Sequence, residues 1–359
     1  MKEASIDDFD EAVGDLLPNL IGVPPELTCI DSGDFARICI DDVKCILRPT
    51  LHFRSHFQKS LSGHSSIRLS SDSYIMGEAQ RRAVTVAGFL QRADSVLGRA
   101  IGRRCVIDEL AGDSHMGGQR PLRISDGEST AVLKFAEPRA YQLLADVSRI
   151  LARATGLIAP LPAPLANNVD ENWYIIPYFP EEPIREDEYG ASFMRSYGAL
   201  AAFAYAMWMV DLHLENVIVS GGYPIIIDPE CILYLVDDMS DDDRLMSTGI
   251  LSHNANLSAL RGGTMPLASL RQFVDATGVL RFKGPASGLR NRLALAGGGY
   301  CDPARHKLEL LNGFREVYSY FVTNATTLTE IVVSQLTCDF RIRCLVRKTP
   351  ALLDGYRDA

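Results

Sequence analysis

Three oxygen-bearing side chains have the spacing found in enzymes that transfer phosphoryl groups. Asp211 is followed five residues later by Asn216, and Asp228 lies twelve residues beyond Asn216. In kinase-like sites an Asp in the first position accepts a proton from the attacking hydroxyl, and an Asn and a second Asp further on bind magnesium beside the triphosphate. The spacing therefore predicts a catalytic Asp211, with Asn216 and Asp228 binding the nucleotide through the metal.

The residues between Asn216 and Asp228 are typical of a β-hairpin. Two apolar runs, Val217–Ser220 and Tyr223–Ile227, flank the pair Gly221-Gly222, which predicts two strands around a tight turn. A hairpin brings together the residues at its open end, and a hard cation needs several oxygen ligands in one place. The alternative is a buried hairpin with scattered polar residues.

Two neighbouring polar residues are further candidates. His213 either orients the loop or contacts phosphate, and a hydrogen-bonded structural histidine is the alternative interpretation. Glu230 either binds the metal through water or shapes the loop that contains it. The acidic run at residues 237–243 is interpreted as a solvated loop, since such runs usually face solvent.

Composition excludes several classes of protein. The 359 residues carry a net charge of −9, which argues against non-specific nucleic-acid binding. No apolar run reaches the roughly 20 residues of a membrane helix, and the first residues are acidic and amphipathic, unlike a signal peptide. The eight cysteines are scattered without metal-binding spacing. We expect a cytoplasmic enzyme with reduced thiols and no nucleic-acid or membrane partner.

The order of predicted elements indicates an α+β fold with two kinase-like lobes, of the lipid-kinase type, after an added N-terminal α/β region. We predict a helical and mixed region at 1–104, a first lobe at 105–180 and a second lobe at 181–359. Short strands are expected within 27–47, and an irregular region up to residue 299. Helices are predicted at 77–104, 138–155, 192–209, 304–328 and 330–336, and strands at 105–110, 121–125, 130–135 and 173–178.

Lys134 falls on the third predicted strand of the first lobe. Kinases carry a lysine on the corresponding strand because its ammonium is a compact cation for the phosphates. We therefore expect Lys134 to be a catalytic and nucleotide-binding residue. A solvated lysine on a strand is the alternative, and no glycine-rich G-x-G-x-x-G loop accompanies it.

Seven segments together resemble the dehydratase half of class II lanthipeptide synthetases, the LanM family. The family shows D-L-H-x-E-N followed by I-D-x-E, and the other segments match its motifs in the same order. The ordered set covers roughly residues 85–350 and is highly specific. The matching segments are 112–118 (GDSHMGG), 211–216 (DLHLEN), 227–230 (IDPE), 247–251 (STGIL), 256–263 (NLSALRGG), 311–314 (LNGF) and 343–349 (RCLVRKT).

The resemblance implies a two-step reaction on a precursor peptide that carries a leader. Ser and Thr side chains are phosphorylated from ATP with Mg²⁺, and phosphate is then eliminated to leave dehydroamino acids. The phosphorylation residues are those already described, with Glu230 joining Asn216 and Asp228 at the metal. In the family the elimination step is assigned to the residues that match Asp113, His115, Lys134, Arg343 and Thr349.

The match at Lys134 allows two alignments. The family's lysine lies in Y-K-P-R, whereas here Pro138-Arg139 is preceded by Glu137. Alignment on Pro-Arg places Glu137 at the lysine position, and alignment on the distance from His115 places Lys134 there. We favour Lys134, because a carboxylate would repel phosphate, and we expect substitution of Glu137 to be mild.

Three functions are compatible with these residues. The first is a peptide dehydratase that phosphorylates and eliminates; the second is a kinase alone, acting on a peptide or a small molecule; the third is a non-catalytic module that binds leader peptides. Arg343 and Thr349 favour the first. The family's zinc cyclase has no counterpart before Ala359, so we expect no ring formation and a separate cyclase or second subunit as a further partner.

Overall fold

Helices and strands both build the protein, which confirms the mixed α and β architecture predicted above. The computed structural model describes residues 27–41, 43, 73–109, 119–182, 184–213, 216–234, 240–251, 259–260, 271–274, 280–283, 293–295, 301–337 and 339–342. The chain forms two compact units, Met1–Phe135 with Ala268–Pro285, and Ala136–Leu267 with Ala286–Ala359. The three-region division at residues 104 and 180 stays a prediction.

The first unit combines helices with antiparallel strands. Its longest helix buries an apolar face that includes Val86, Leu90 and Leu97. Three consecutive strands pair in antiparallel order, with Ile107 opposite Ile124 and Leu122 opposite Leu133. The elements are a helix at residues 32–41, the helix Ser73–Ala100, the three strands Val106–Glu109, Leu122–Ser125 and Thr130–Lys134, and the paired strands Arg271–Val274 and Leu280–Lys283.

A buried carboxylate ties the long helix to the chain that precedes it. Asp94 is 6% exposed and accepts hydrogen bonds from the backbone N–H groups of Thr28, Cys29 and Ile30 at 2.7–2.9 Å. Burial by itself would raise the pKa of Asp94, but these bonds and one from the Thr28 hydroxyl outweigh it and lower the pKa. The carboxylate thus satisfies three consecutive backbone donors of the chain that precedes the helix.

The second unit is mainly helical. The strands Ala166–Asn168 and Trp173–Pro177 form an antiparallel pair, and Ile184–Arg185 pairs in parallel with Leu293–Ala294. The other elements are the helices Pro138–Thr155, Glu186–Ala206, Asp241–Ser247, Lys307–Thr323 and Ala325–Gln335, the 3₁₀ turn Pro303–His306, and the strands Val217–Ser220 and Tyr223–Ile226.

Two glycines allow the central helices of the second unit to touch backbone to backbone. A Cβ atom at Gly198 would lie 1.8 Å from the Leu310 carbonyl oxygen, and one at Gly313 would lie 1.8 Å from the Arg195 carbonyl oxygen. Helices Glu186–Ala206 and Lys307–Thr323 therefore cross closely only because both positions lack a side chain. The crossing fixes the helix that leads into Asp211.

Several predicted elements match the structure closely. The helix Pro138–Thr155 has the predicted bounds, because Glu137 caps its first turn and Gly156, at φ 65°, ends it. The strands at 106–109, 122–125, 130–134 and 173–177 lie within the predicted runs. The helix Glu186–Ala206 starts six residues earlier than predicted.

Four predictions of local structure were wrong. Residues 32–41 form a helix where short strands were expected. Asp241–Ser247 is a short helix because Ser240 caps it and three Asp side chains favour its N-terminus, although residues 241–243 are solvent-exposed as predicted. Strands occur within the region predicted to be irregular, and the last helices break at Asn324, whose side chain donates to the Tyr320 carbonyl.

The lengths and compositions of the helices bear on membrane insertion. Among the helices that the structure describes, none is both long enough and apolar enough to cross a bilayer.

Candidate active site

Asp211 lies just after the helix Glu186–Ala206 in a strained backbone conformation. Its φ is +66°, in the left-handed region that Asp enters more readily than most residues but still at a cost. The following residue is fixed, because the Leu212 N–H donates to the Thr248 carbonyl at 2.7 Å. The conformation turns the chain sharply at the residue predicted to be the catalytic base.

Asn216 closes the loop that begins at Asp211. Its Nδ2 donates to the Asp211 carbonyl at 2.7 Å, and its backbone N–H donates to the His213 carbonyl at 3.0 Å. Because the amide nitrogen is held by Asp211, the Asn216 Oδ1 is directed to the other side of the amide. That oxygen is the atom a cation would use. The five-residue spacing thus corresponds to a direct bond between the two predicted site residues.

The predicted hairpin is confirmed. Val217–Ser220 pairs antiparallel with Tyr223–Ile226, with Val217 opposite Ile226, around Gly221-Gly222. At its open end the Ile227 N–H donates to the Asn216 carbonyl at 3.0 Å. The hairpin therefore places Asp228 one residue beyond the residue bonded to Asn216.

The chain that follows the hairpin returns beside the chain that precedes Asp211. The Val210 N–H donates to the Cys231 carbonyl at 3.0 Å, and the Leu233 N–H donates to the Met207 carbonyl at 3.0 Å. These bonds and the hairpin enclose Asp211, Asn216 and Asp228 between two paired stretches of backbone. The structure thus brings these three predicted residues into one region.

Asp228 and Glu230 lie close to a buried tyrosine. Tyr174 is 1% exposed, and its pKa is raised well above the usual value, first by burial and then by the negative charges of Asp228 and Glu230. Tyr174 also stacks on Tyr141 with ring centroids 5.2 Å apart. The two carboxylates therefore lie near a buried aromatic side chain, and the Asp228 Oδ1 is itself buried.

The donor set fits a magnesium ion. Asn216 supplies an amide oxygen, and Asp228 and Glu230 supply carboxylates, which are the hard oxygen ligands that magnesium prefers. Within the described residues no three His, Cys, Asp or Glu side chains cluster as a metal site. A magnesium site keeps several bound waters and needs only one or two carboxylates, so Asn216, Asp228 and Glu230 are compatible with it. Zinc sites in proteins are built mainly from Cys and His ligands, which this set lacks.

His213 is held within the same loop. Its Nε2 lies 3.7 Å from the Asp211 Oδ1 and 3.5 Å from the Asn216 Nδ2. The imidazole therefore lies beside both the Asp211 carboxylate and the Asn216 amide, and a protonated ring would pair with that carboxylate. Orientation of the loop is the role that these contacts favour.

Thr248 and Gly249 support the loop from a segment 37 residues away. Besides the bond from Leu212 to Thr248, Gly249 adopts φ +84° directly against the loop backbone. A Cβ at this position would lie 2.9 Å from the Leu212 carbonyl carbon and 3.0 Å from the His213 nitrogen. The residues alone did not predict this support; the family match at 247–251 was the only signal.

We expect Gly249→Ala to destabilise the protein by about 2 kcal/mol or more, because it combines a disfavoured φ with a steric clash against the loop. Gly222→Ala is the matched control: it has φ +83°, but a Cβ at that position would meet no atom within 4 Å, so it should cost about 1 kcal/mol. Thermal unfolding measures both. Equal losses would show that Gly249 does not support the loop.

Lys134 and Glu137 have different surroundings. Lys134 is the last residue of the strand Thr130–Lys134 in the first unit and is 6% exposed, so it is not a solvated strand lysine. Glu137 belongs to the second unit, where it accepts from the Arg139 backbone N–H as the helix cap and from the Arg139 side chain. A carboxylate engaged in this way favours the alignment that gives Lys134 the phosphate-binding role.

The remaining predicted site residues belong to the elimination step. Asp113, His115, Arg343 and Thr349 lie outside the residues that the structure describes, so their elimination roles stay predictions.

Comparisons with known proteins give matches over the part of the chain that contains the candidate site. The model of a protein family described as a domain of unknown function, DUF4135, matches residues 101–351. A lacticin 481/lactococcin biosynthesis protein of Lactococcus lactis subsp. lactis is 26% identical over 218 residues, which are 52% of this chain and 23% of that protein. The chain therefore aligns with about a quarter of the length of this relative.

Proposed function

The chain belongs to the DUF4135 family, and from this premise we propose that it dehydrates Ser and Thr residues of a ribosomally made precursor peptide, with ATP as the phosphate donor. The observation that carries the proposal is the convergence of Asp211, Asn216 and Asp228 around one loop and hairpin. The similarity to a protein of lacticin biosynthesis supports a peptide of the lanthipeptide class as substrate.

In the first step Asp211 acts on the hydroxyl of the substrate. Its carboxylate accepts the proton while the hydroxyl oxygen forms a bond to the γ-phosphorus of ATP, and the bond from that phosphorus to the β,γ-bridging oxygen breaks to release ADP. His213, 3.7 Å away, orients the carboxylate. Asn216 holds the Asp211 carbonyl and so maintains the strained turn that presents the base.

Asn216, Asp228 and Glu230 would hold magnesium, which when bound neutralises charge on the phosphates. The chain contributes rigidity to these ligands, because the hairpin fixes Asp228 beside Asn216. The buried Tyr174 lies close enough to Asp228 and Glu230 for their charges to raise its pKa. Lys134 contributes a second cation, which would bind the transferred phosphoryl group.

In the second step the phosphorylated side chain loses phosphate. A base removes the α-proton, a double bond forms between Cα and Cβ, and the bond from Cβ to the phosphate oxygen breaks. Arg343 would bind the departing phosphate through paired N–H donors. Asp113, His115, Lys134 and Thr349 complete the set that the family resemblance implies for this step.

Mass spectrometry of a precursor peptide incubated with the protein, ATP and Mg²⁺ tests the proposal. A gain of about 80 Da indicates phosphorylation, and a loss of about 18 Da from the starting mass indicates dehydration. Products at both masses would support the two-step reaction. Phosphorylation without dehydration would favour the kinase-only alternative, and no change in mass would favour a leader-binding module.

Arg343→Ala is expected to consume ATP at the rate of the parent but to accumulate phosphorylated peptide. The substitution removes the cation that stabilises the leaving phosphate and so raises only the elimination barrier. A time course of phosphorylated and dehydrated peptide measures both steps. Arg343→Lys, which keeps the charge but loses the paired donors, should recover part of the dehydration. If Arg343→Ala dehydrates as well as the parent, this role is wrong.

A further inference from the structure

Arg244 lies over two aromatic rings in the second unit. It belongs to the short helix Asp241–Ser247, and its Cζ lies 3.6 Å from the ring centroid of Tyr205 and 4.5 Å from that of Trp208. A guanidinium group at these distances is attracted by the negative face of each ring. One side chain therefore contacts both the last turn of the helix Glu186–Ala206 and the loop that follows it.

The aromatic contacts outweigh the ionic one. The Arg244 Nη2 lies 3.5 Å from the Asp241 Oδ1, but Asp241 is 86% exposed, so this ion pair contributes little. The Arg244 side chain is 20% exposed, and its Nε is buried and makes no hydrogen bond to any described residue. The Tyr205 hydroxyl donates to the same Asp241 oxygen at 2.7 Å. We call Tyr205, Trp208, Asp241 and Arg244 the Arg244 cluster.

Trp208 is held in a strained conformation three residues before Asp211. Its φ is +50°, in the left-handed region that aromatic residues rarely enter. Its N–H donates to the Tyr205 carbonyl at 3.3 Å, and its carbonyl accepts from the Tyr234 N–H at 2.9 Å. Such a residue persists only where its surroundings fix it. The backbone bonds supply part of that restraint, and Arg244 supplies the side-chain part.

The helix that carries Arg244 also reaches the residue after Asp211. Thr248 follows Arg244 by four residues, about one helical turn, and ends the helix Asp241–Ser247. The Thr248 carbonyl accepts from the Leu212 N–H at 2.7 Å. Described contacts therefore connect Arg244 to the chain on both sides of the proposed catalytic base.

We propose that Arg244 is a positioning residue for phosphoryl transfer. It holds the Trp208 turn before Asp211 and, through its own helix, holds Thr248 against the residue after Asp211. It thereby fixes the direction in which the Asp211 carboxylate meets the substrate hydroxyl. The inference rests on the proposed phosphorylation step. Because Arg244 acts on the base and not on the metal ligands, the rate of transfer depends on it and the requirements for ATP and Mg²⁺ do not.

The test measures initial rates of precursor-peptide phosphorylation for the parent, Arg244→Ala and Arg244→Lys over ranges of ATP and Mg²⁺ concentration. We expect Arg244→Ala to lower kcat at least about tenfold, because small misplacements of a catalytic group are costly. The KM for ATP and the Mg²⁺ requirement should stay within about threefold of the parent. Arg244→Lys keeps the charge but loses the planar group, so its kcat should be intermediate.

Chemical rescue examines the planar cation directly. Methylguanidinium at about 20 mM, far below denaturing concentrations, should restore part of the kcat of Arg244→Ala by occupying the space over the two rings. Methylammonium carries the same charge without the planar group and should restore less. Equal effects of the two ions would refute the requirement for a stacked guanidinium group.

Fluorescence of Trp208 gives a measurement independent of activity. The chain has two tryptophans, so a Trp173→Phe background reports on Trp208 alone. Arg244→Ala should change the emission there, because a charge over the indole ring is removed. Arg195→Ala is the matched control: it breaks an ion pair of the same long helix with Glu316 and should leave the Trp208 emission and kcat unchanged.

The outcomes separate the two hypotheses. A parent that phosphorylates beside a folded Arg244→Ala with the same kcat overturns the role of Arg244 alone. Variants whose ATP and Mg²⁺ requirements rise together with the loss of kcat overturn it as well, because they indicate a general structural defect. If Arg244→Ala does not fold, a folded Arg244→Lys with the kcat of the parent overturns it. A parent that leaves the mass of the peptide unchanged overturns both this inference and the proposed function.

Discussion

Asp228→Asn is expected to lower ATP-dependent phosphorylation of a precursor peptide at least ~100-fold while leaving the protein folded. Asp228 lies one residue past the hairpin bond that links Ile227 to Asn216, so its carboxylate is placed by backbone pairing. Asparagine keeps the size of the side chain but replaces a charged ligand by a neutral one. Metal-held charge contributes several kcal/mol in such sites, which sets the size of the loss.

The experiment measures initial rates of phosphate transfer across a range of Mg²⁺ concentrations. Asp242→Asn is the control, since it makes the same chemical change in the exposed first turn of the helix Asp241–Ser247 and should retain the parent's rate. A rise in the Mg²⁺ concentration needed by Asp228→Asn would identify the lost interaction as metal binding. Near-normal turnover in a folded Asp228→Asn protein would refute the assignment.

Lys134→Ala is expected to reduce phosphorylation by a similar factor of at least ~100, because it removes the ammonium that would neutralise charge on the transferred phosphoryl group. Lys134 is 6% exposed on its strand, whereas a lysine that only occupies a strand surface normally extends into solvent. Initial rates at saturating peptide, over a range of ATP concentrations, separate nucleotide binding from transfer.

Glu137→Gln is the comparison that decides between the two alignments. A glutamine keeps a side-chain oxygen for the helix cap but loses the charge that pairs with Arg139, so phosphorylation should stay close to that of the parent. A fatal Glu137→Gln together with a harmless Lys134→Ala would instead place Glu137 in the phosphate site and would remove the role proposed for Lys134.

Local patterns in the sequence were sufficient to predict the elements that carry the site. The hairpin follows from two apolar runs around Gly221-Gly222, and the helix Pro138–Thr155 follows from its proline start and glycine end. Both depend on interactions between residues a few positions apart, which propensity and turn geometry describe well. The same is true of Asp211 and Asn216, whose five-residue spacing is bridged by one hydrogen bond.

Two of the less successful predictions concern local features, the cap at Ser240 and the helix break at Asn324, whereas others involve partners distant in the chain. Ile184 and Leu293 pair across more than 100 residues, and a strand of two residues has no periodicity to detect. Residues 32–41 fold as a helix although the surrounding sequence resembles short strands. Tertiary packing overrides weak local propensity in such cases.

Residue types and spacing were thus enough to identify the chemical groups of the candidate site, their order and the hairpin that presents Asp228. The contacts that support these groups became visible in the fold: Thr248 and Gly249 lie against the loop that begins at Asp211, and the buried Tyr174 lies near Asp228 and Glu230. These supports are contacts between backbones and side chains that lie far apart in the chain. Such contacts depend on which surfaces meet after folding, and neither composition nor periodicity encodes that meeting.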